Sequence, residues 1–170
     1  MSNLLGAAEV RALADQLNLK PTKKLGQNFV VDANTCRKIV KLATVEKSDI
    51  ALEIGPGLGS LTLALLEEAS QVIAIEIDSR LANQLPITAA ERGFDQDKLK
   101  VINADAISVR ELAFKPTVLV ANLPYNVSVP VLLNILENFP TITRGVVMVQ
   151  SEVADRLAAV ANNKDYGSPT

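Results

Sequence analysis

The sequence has no histidine, no tryptophan and a single cysteine, Cys36. One cysteine cannot form a disulfide within the chain. A zinc site of cysteine and histidine ligands is excluded, as is any catalytic triad with histidine as its base. Apolar runs stay below the roughly 18 residues that a membrane-spanning helix needs. Residues 1–19 are acidic and amphipathic, without a basic stretch before an apolar one. We therefore expect neither a signal peptide nor a membrane partner.

Length and composition are those of one globular domain. The chain has 170 residues, of which 48% are hydrophobic and 21% charged. A domain of this length buries roughly two-thirds of the surface that its unfolded chain exposes, which is enough for a real core. We therefore treat residues 1–170 as one domain, with residues 1–48 as an N-terminal helical extension.

The formal net charge of −2 conceals an uneven distribution of charge. Residues 20–47 contain seven basic and two acidic residues, whereas the rest of the chain is strongly acidic. A basic segment on an acidic body is compatible with an edge that contacts phosphates. A solvated helix face explains the same charges equally well, so both interpretations remain open.

Hydrophobic periodicity alternates between strands and helices after residue 48. Short apolar strands alternating with amphipathic helices predict an α/β fold, with a mostly parallel sheet and helices on both faces. In such sheets ligands bind beyond the carboxyl ends of the strands. The predicted strands are 50–54, 71–77, 100–103, 117–121 and 144–149; the predicted helices are 9–17, one capped by Asp32, 58–68, 79–92 with a kink or restart at Pro86, 130–138 and 151–162.

A glycine-rich stretch, Glu53-Ile54-Gly55-Pro56-Gly57-Leu58-Gly59, follows the first predicted strand. Gly55 and Gly57 allow a tight turn and a close approach of the backbone to a ligand. The dinucleotide fingerprint requires glycine where this chain has Ser60, and the spacing found here is similar to that of methyltransferases. Glu53 would repel a pyrophosphate but favours a sulfonium cation and an α-amino group. A tight turn without a ligand is the open alternative.

Single acidic residues follow the second and third predicted strands. Glu76 can accept hydrogen bonds from both ribose hydroxyls of an adenosyl group, and its charge disfavours a 2′-phosphate. Asp78 is the candidate cap of the next helix. Asp105, which precedes Ala106, can accept a hydrogen bond from the exocyclic amine of an adenine. A solvated strand-end acid at Glu76 and an ordinary loop aspartate at Asp105 are the alternatives.

The most specific motif is Asn122-Leu123-Pro124-Tyr125, after the fourth predicted strand. The amine on C6 of adenine is a poor nucleophile, so a site that methylates it needs two acceptors aimed at the amino hydrogens. The Asn122 side chain and the Leu123 carbonyl can supply them. Pro124 stiffens the predicted turn, and Tyr125 offers a flat face on which an extruded base can stack. An Asx-type turn with a packed tyrosine is the alternative.

A fifth motif, Lys23-Lys24-Leu25-Gly26-Gln27-Asn28-Phe29, precedes the predicted sheet. The amides of Gln27 and Asn28 could close over a cofactor, and Lys23 and Lys24 could meet phosphates. The alternative is an exposed turn in which Phe29 anchors the segment to the core.

In this order the five motifs resemble the ribosomal RNA adenine dimethyltransferase family, in its small-subunit (kasugamycin-sensitivity) branch. The resemblance covers nearly all of residues 20–168. Besides the motifs above, it rests on Ser60-Leu61-Thr62 and Val149-Gln150-Ser151-Glu152-Val153-Ala154-Asp155-Arg156-Leu157. It implies a Rossmann-like class I methyltransferase fold and a cytoplasmic enzyme. This enzyme uses S-adenosylmethionine to dimethylate two adjacent adenines of small-subunit (16S) rRNA during assembly of the 30S subunit. Oligomerisation is not required for this activity.

The resemblance also implies roles for individual residues. The cofactor would contact Asn28, Val30, Gly55, Glu76, Asp105 and Asn122, and the motif positions add Gln27, Glu53, Gly57 and Ala106 to that set. Asn122 would also bind the target amine, with Tyr125 below the base, and no metal is expected. Family members continue with two further strands, a base-clamping loop and a helical rRNA-binding domain, so this chain is expected to lack them.

Four other functions remain open, and one of them is that of an assembly factor whose ribosome-binding role matters beyond catalysis. The chain could bind the cofactor without catalysing the reaction, or belong to the large-subunit rRNA methyltransferases that share the scaffold. It could also be an NAD-dependent oxidoreductase, against which Ser60 and the motif that begins at Asn122 argue.

Overall fold

A computed structural model describes residues 3–19 and 32–150. Five parallel strands form one sheet in the order β3-β2-β1-β4-β5. The first strand in sequence lies at the centre of the sheet. Strands β2 and β3 are added on one side of it and β4 and β5 on the other, so the strand order reverses between β1 and β4. Ligands bind at such a reversal in open sheets of this kind. The strands are β1 (Ile50–Ile54), β2 (Gln71–Glu76), β3 (Leu99–Asn103), β4 (Val118–Pro124) and β5 (Arg144–Gln150).

Helices cover both faces of the sheet, and their buried side chains form two separate clusters. Helices α1 to α4 and alternate strand residues, among them Val72 and Val120, form one cluster. Helix α5 packs Val131 and Ile135 against the intervening residues on the other face. The α-helices are α1 (Ala7–Gln16), α2 (Ala33–Leu42), α3 (Ser60–Glu68), α4 (Ser79–Glu91) and α5 (Tyr125–Asn138); short 3₁₀ turns occupy Gln96–Lys98 and Ala106–Ser108.

The prediction of an α/β fold with a parallel sheet covered on both faces is confirmed. The cap at Asp32 is also confirmed, since its carboxylate accepts the backbone N–H groups of Asn34 and Thr35 at 3.2 and 3.3 Å. The predicted helix at 151–162 lies outside the described residues. No helix in the described part of the chain is long and apolar enough to cross a bilayer.

Neither Pro86 nor Pro130 begins a helix. Helix α4 runs unbroken from Ser79 to Glu91, so the predicted restart at Pro86 is wrong, whereas the alternative of a kink there stays a prediction. Helix α5 begins at Tyr125 rather than at Pro130. In both helices an apolar face packs on the sheet, and that burial outweighs the single backbone hydrogen bond that an interior proline removes.

Candidate active site

One row of residues crosses the carboxyl edge of the sheet. Glu76 at the end of β2 pairs in register with Asn103 of β3, and Asn122 of β4 pairs with Met148 of β5. Gly55 follows the last residue of β1 and donates its N–H to the Ile75 carbonyl at 3.1 Å. The parallel register of β1 and β4 therefore brings Gly55 close to Asn122, although 67 positions separate them in the sequence (122 − 55).

The glycine turn lies directly against the backbone of β4. Gly55 has a φ of 76°, in the left-handed region that favours glycine. A Cβ at this position would overlap the backbone carbonyl oxygen of Asn122. The glycine turn after β1 therefore packs directly on Asn122 near the end of β4, and this packing leaves no room for a Cβ at Gly55.

Glu76 is buried, with 6% of its surface exposed, and its carboxylate holds the glycine turn in place. Oε1 accepts the Gly57 N–H at 3.1 Å, and Oε2 accepts the Asp78 N–H at 2.9 Å. Burial raises the pKa of Glu76, while the backbone donors of Asp78 and Gly57 oppose that rise. Each carboxylate oxygen has a second lone pair, so the group can still accept hydroxyl donors.

Glu53 lies behind the glycine turn rather than at its surface. It is 1% exposed, and its Oε1 accepts the Thr62 hydroxyl of α3 at 2.5 Å. Burial raises the pKa of this carboxyl to about 8; the Thr62 hydrogen bond lowers it and the charge of Glu76 adds to the rise. Because this pKa lies above 7, Glu53 is mostly protonated and uncharged at neutral pH, so it adds little attraction for a cation above the turn. Contact between Glu53 and a cationic ligand stays a prediction.

At the end of β3, Asp105 caps the short helical turn that follows the strand. Its Oδ1 accepts the Ile107 N–H at 3.1 Å, while Ala106 behind it is buried. Capping is the ordinary loop role considered for Asp105 from the sequence. The side chain is exposed and carries a second carboxylate oxygen, so the predicted contact with an adenine amine stays open.

Sequence reasoning missed two residues at this edge. The Asn103 amide donates to the carbonyl oxygens of Glu76 and Ile77 at 2.9 and 3.2 Å and so ties the ends of β2 and β3 together. Ile77 is 67% exposed and directly follows the buried Glu76. An exposed apolar side chain beside a buried carboxylate suits the face of a nucleobase. Its position after Glu76 was the available signal, which is weak without the structure.

The motif after the fourth strand is not a turn. Strand β4 continues through Pro124, and Tyr125 is already the first residue of α5. The prediction that Pro124 stiffens a turn was therefore wrong, and an Asx-type turn does not describe Asn122. Asn122 is half-buried, Leu123 buries its side chain, and Tyr125 remains 41% exposed at the start of α5.

Five predicted site residues lie outside the described residues: Lys23, Lys24, Gln27, Asn28 and Val30. Within the described part of the basic segment, Arg37 forms an ion pair with Glu67 at 3.0 Å. Lys47 donates to the Glu67 carbonyl at 2.6 Å. Both cations contact Glu67 of α3, so for these two residues contacts within the protein account for the charge and a phosphate is not required.

The carboxyl edge of the sheet around Gly55, Glu76 and Asn122, which we call the proposed cofactor cleft, is rich in hydrogen-bond acceptors. Glu76 and Asp105 are carboxylates, and the Asn122 carbonyl approaches the glycine turn. Such a set favours hydroxyl, amine and cationic groups and disfavours phosphates. Within residues 3–19 and 32–150 no cluster of histidine, cysteine, aspartate or glutamate could hold a metal ion.

Comparison with known proteins points to one family. Residues 18–170 match the model of a family described as ribosomal RNA adenine dimethylase. Proteins named ribosomal RNA small subunit methyltransferase A from Kineococcus radiotolerans and Corynebacterium diphtheriae are 57% and 60% identical to this chain, over 100% and 99% of its length. The match covers 57% and 58% of those two relatives, so the chain spans less than two-thirds of their length.

Solved structures agree with this grouping. A dimethyladenosine transferase from Plasmodium falciparum is 35% identical with a TM-score of 0.63, covering 75% of this chain and 45% of its own. The 23S rRNA methyltransferase ErmE is 30% identical with a TM-score of 0.65, covering 84% and 54%. The O-methyltransferase TomG from Streptomyces achromogenes, at 15% identity and a TM-score of 0.67 over 95% and 70%, shares the fold alone. The expected Rossmann-like methyltransferase fold is confirmed.

Proposed function

This chain belongs to the ribosomal RNA adenine dimethylase family, and from that premise we propose that it binds S-adenosylmethionine and methylates adenine N6 in rRNA. The observation that carries the proposal is the close approach of Gly55 to the backbone carbonyl of Asn122. This contact puts a ligand-binding turn and an amine-accepting motif in the same cleft. An oxidoreductase has no use for the second of these elements.

The proposed cofactor cleft fits an adenosyl cofactor by its donors and acceptors. Without a Cβ, Gly55 lets the glycine turn pack directly on the Asn122 backbone, and the buried Glu76 carboxylate accepts the Gly57 N–H of the same turn. Glu76 would hold the ribose hydroxyls, Asp105 the adenine amine, and Ile77 with Ala106 the faces of the adenine. A carboxylate at Glu76 also repels the additional phosphate of NADP. The bound cofactor supplies an electrophilic methyl group on a sulfonium centre.

The residues of this chain would act on the target amine by positioning it. The Asn122 side-chain carbonyl and the Leu123 backbone carbonyl would accept the two amino hydrogens and hold the nitrogen toward the methyl donor. Tyr125, exposed at the start of α5, would stack against the extruded base. Positioning and fixed dipoles would supply most of the acceleration. The proton on nitrogen becomes acidic only after attack, so no base is needed beforehand.

The substrate proposal is small-subunit rRNA. Curated relatives named for the small subunit are 57% and 60% identical, whereas ErmE, named for 23S rRNA, is 30% identical. We therefore propose that the target is a pair of adjacent adenines in 16S rRNA of the assembling 30S subunit, in the cytoplasm. A large-subunit target is the second candidate, which the shared fold of ErmE favours.

The test combines cofactor titration with a transfer assay. Calorimetry should show binding of S-adenosylmethionine and none of NAD. Labelled methyl groups should then pass to adenine N6 in unmethylated 30S particles and not in 50S particles. Binding without transfer would support a cofactor-binding module, labelled 50S particles would support the large-subunit alternative, and absence of binding would overturn the proposal.

A single substitution tests the amine-binding role. We expect Asn122→Ala to lower the transfer rate by about 100-fold or more, because one acceptor aimed at the reacting group is lost. Asn83→Ala, on the exposed side of α4, is the matched control and should keep full activity. Comparable transfer by the Asn122 variant and the wild type would remove Asn122 from the mechanism.

A further inference from the structure

An arginine lies near each end of helix α4, and both arginines form hydrogen bonds with helix α1 or the residues next to it. Arg80, in the first turn of α4, donates Nη1 to the Leu17 carbonyl at the end of α1 at 3.1 Å. Arg92, just after α4, donates Nε to the Asn3 carbonyl at 2.9 Å and pairs with Glu9 near the start of α1. The two helices are therefore antiparallel and joined at both ends.

Only one of these arginines is connected to the proposed cofactor cleft. The Arg80 side chain binds Asp78 with two donors, Nε to Oδ1 at 3.4 Å and Nη2 to Oδ2 at 3.1 Å, in addition to the Arg80 backbone N–H, which donates to Oδ1 at 2.8 Å. The Asp78 backbone N–H donates to Glu76 Oε2 at 2.9 Å, and Gly57 N–H donates to Glu76 Oε1 at 3.1 Å. Hydrogen bonds thus connect Leu17, just after α1, through Arg80, Asp78 and Glu76 to the glycine turn.

We propose that Arg80 is a positioning residue for the cofactor's ribose: it braces Asp78 against α1, and Asp78 in turn fixes the orientation of the Glu76 carboxylate. This inference rests on the proposed function of the cleft. Glu76 has two carboxylate oxygens, and each accepts one backbone N–H. If Asp78 moved, Oε2 would lose its donor and the carboxylate could rotate away from the orientation that meets both ribose hydroxyls.

The expected effect is modest, for a physical reason. The side chains of Arg80 and Asp78 are 51% and 30% exposed, so water screens their charges. Exposed ion pairs contribute little to stability by themselves. The role of Arg80 should therefore appear as a loss of order around Glu76 and a weaker grip on the ribose, rather than as unfolding of the domain.

The direct test is hydrogen exchange at the two amides that hold Glu76, compared between Arg80→Ala and Arg92→Ala. Both variants loosen α1, but only the first should speed exchange at Asp78 and Gly57, by about three- to tenfold. Arg80→Lys, which retains a single charged donor group, should fall between the Arg80→Ala variant and the wild type. Unchanged exchange at Asp78 in Arg80→Ala, or equal acceleration in Arg92→Ala, overturns the inference.

Cofactor titration gives the second measurement. The Kd for S-adenosylmethionine should rise about three- to tenfold in Arg80→Ala and stay near the wild-type value in Arg92→Ala, with kcat little changed in both. Equal Kd values in the two variants also overturn the inference. If the wild-type chain fails to bind the cofactor, the proposed function fails, whereas the exchange experiment still decides whether Arg80 orders Glu76.

Discussion

Gly55 combines two independent requirements at one residue: a left-handed backbone and the absence of a Cβ. Gly93, just after α4, has a φ of 87° but no atom within 4 Å of its missing Cβ. The two glycines therefore separate the cost of the backbone conformation from the cost of a steric clash with the Asn122 backbone.

We expect Gly55→Ala to abolish cofactor binding and to destabilise the fold more than Gly93→Ala does. The backbone conformation alone costs about 1–2 kcal/mol, which is the effect expected at Gly93. At Gly55 the added methyl group also meets the Asn122 carbonyl. Urea unfolding and calorimetric titration measure both effects, and normal cofactor binding by Gly55→Ala would contradict the assigned cleft.

Glu53 makes the stability of the fold depend on pH. Its pKa is raised from 4.5 to about 8 in the folded state, mainly by burial. As pH rises through this window the unfolded chain releases the proton while the folded chain retains it. The free energy of unfolding should therefore fall between about pH 4.5 and pH 8, by an amount on the order of a few kcal/mol.

Glu53→Gln should flatten that dependence, because an amide can still accept the Thr62 hydroxyl but does not ionise. Urea unfolding at pH 5.5 and pH 8 provides the measurement. Glu68→Gln, on the exposed side of α3, is the control and should keep the wild-type slope. Parallel curves for the Glu53 variant and the wild type would show that Glu53 is ionised in the folded protein.

At the scale of elements, helices α1 and α2 end in the same way, each with a non-glycine residue in the left-handed region. Asn18 and Thr44 have φ values of 59° and 54°. After α1, Leu19 N–H donates to the Ala14 carbonyl and Asn18 N–H to the Asp15 carbonyl, the pair of bonds that defines a Schellman cap. This cap turns the chain at the point where Arg80 holds Leu17.

Asn18→Gly should therefore stabilise the protein by several tenths of a kcal/mol, since glycine adopts the left-handed conformation without strain. Asn18→Ala should destabilise it by about 1 kcal/mol. Asn18 is exposed, so neither change disturbs the core. Thermal unfolding of the two variants measures the difference, and the opposite order would contradict the cap.

At the scale of the whole molecule, an ion pair at the amino ends of the strands, opposite the proposed cofactor cleft, joins distant parts of the chain. Asp49, before β1, is buried and pairs with Arg144 at the start of the edge strand β5. It also accepts the Glu46 N–H at 2.7 Å and the Thr117 hydroxyl at 2.8 Å. Arg144 further donates to the Thr44 carbonyl at 2.9 Å.

We expect Arg144→Met to destabilise the fold by about 1–3 kcal/mol, because a buried carboxylate loses its cation. Burial alone would raise the pKa of Asp49, but the Glu46 N–H, Thr117 and Arg144 outweigh it and the net pKa is lowered. The stabilisation is thus present above about pH 4 and lost as pH falls through the folded pKa.

Urea unfolding at pH 7 and pH 3 tests this, and the difference between variant and wild type should shrink at pH 3. Arg37→Met is the control, because its pair with Glu67 is more exposed and should cost less. A difference that stays constant between the two pH values would show that Asp49 does not supply the effect.

The sequence by itself determined the fold class, the succession of strands and helices along the chain, and the family. Apolar strands alternating with amphipathic helices leave few arrangements other than a covered parallel sheet. The motifs at Gly55, Glu76 and Asn122 could be found because local chemistry requires those residue types. The helix start at Tyr125 was harder to predict than the one at Ser79, since burial of a helix face overrode the local preference of Pro130.

Only the tertiary structure decided which of these side chains face each other. Register between β1 and β4 sets Gly55 against Asn122, and no local pattern contains that distance. Glu53 points into the protein because α3 covers its side of β1, which the alternation of side chains along a strand does not reveal. Contacts between residues distant in sequence, such as Arg80 with Leu17, depend on how whole elements pack, and local propensities carry no information about that.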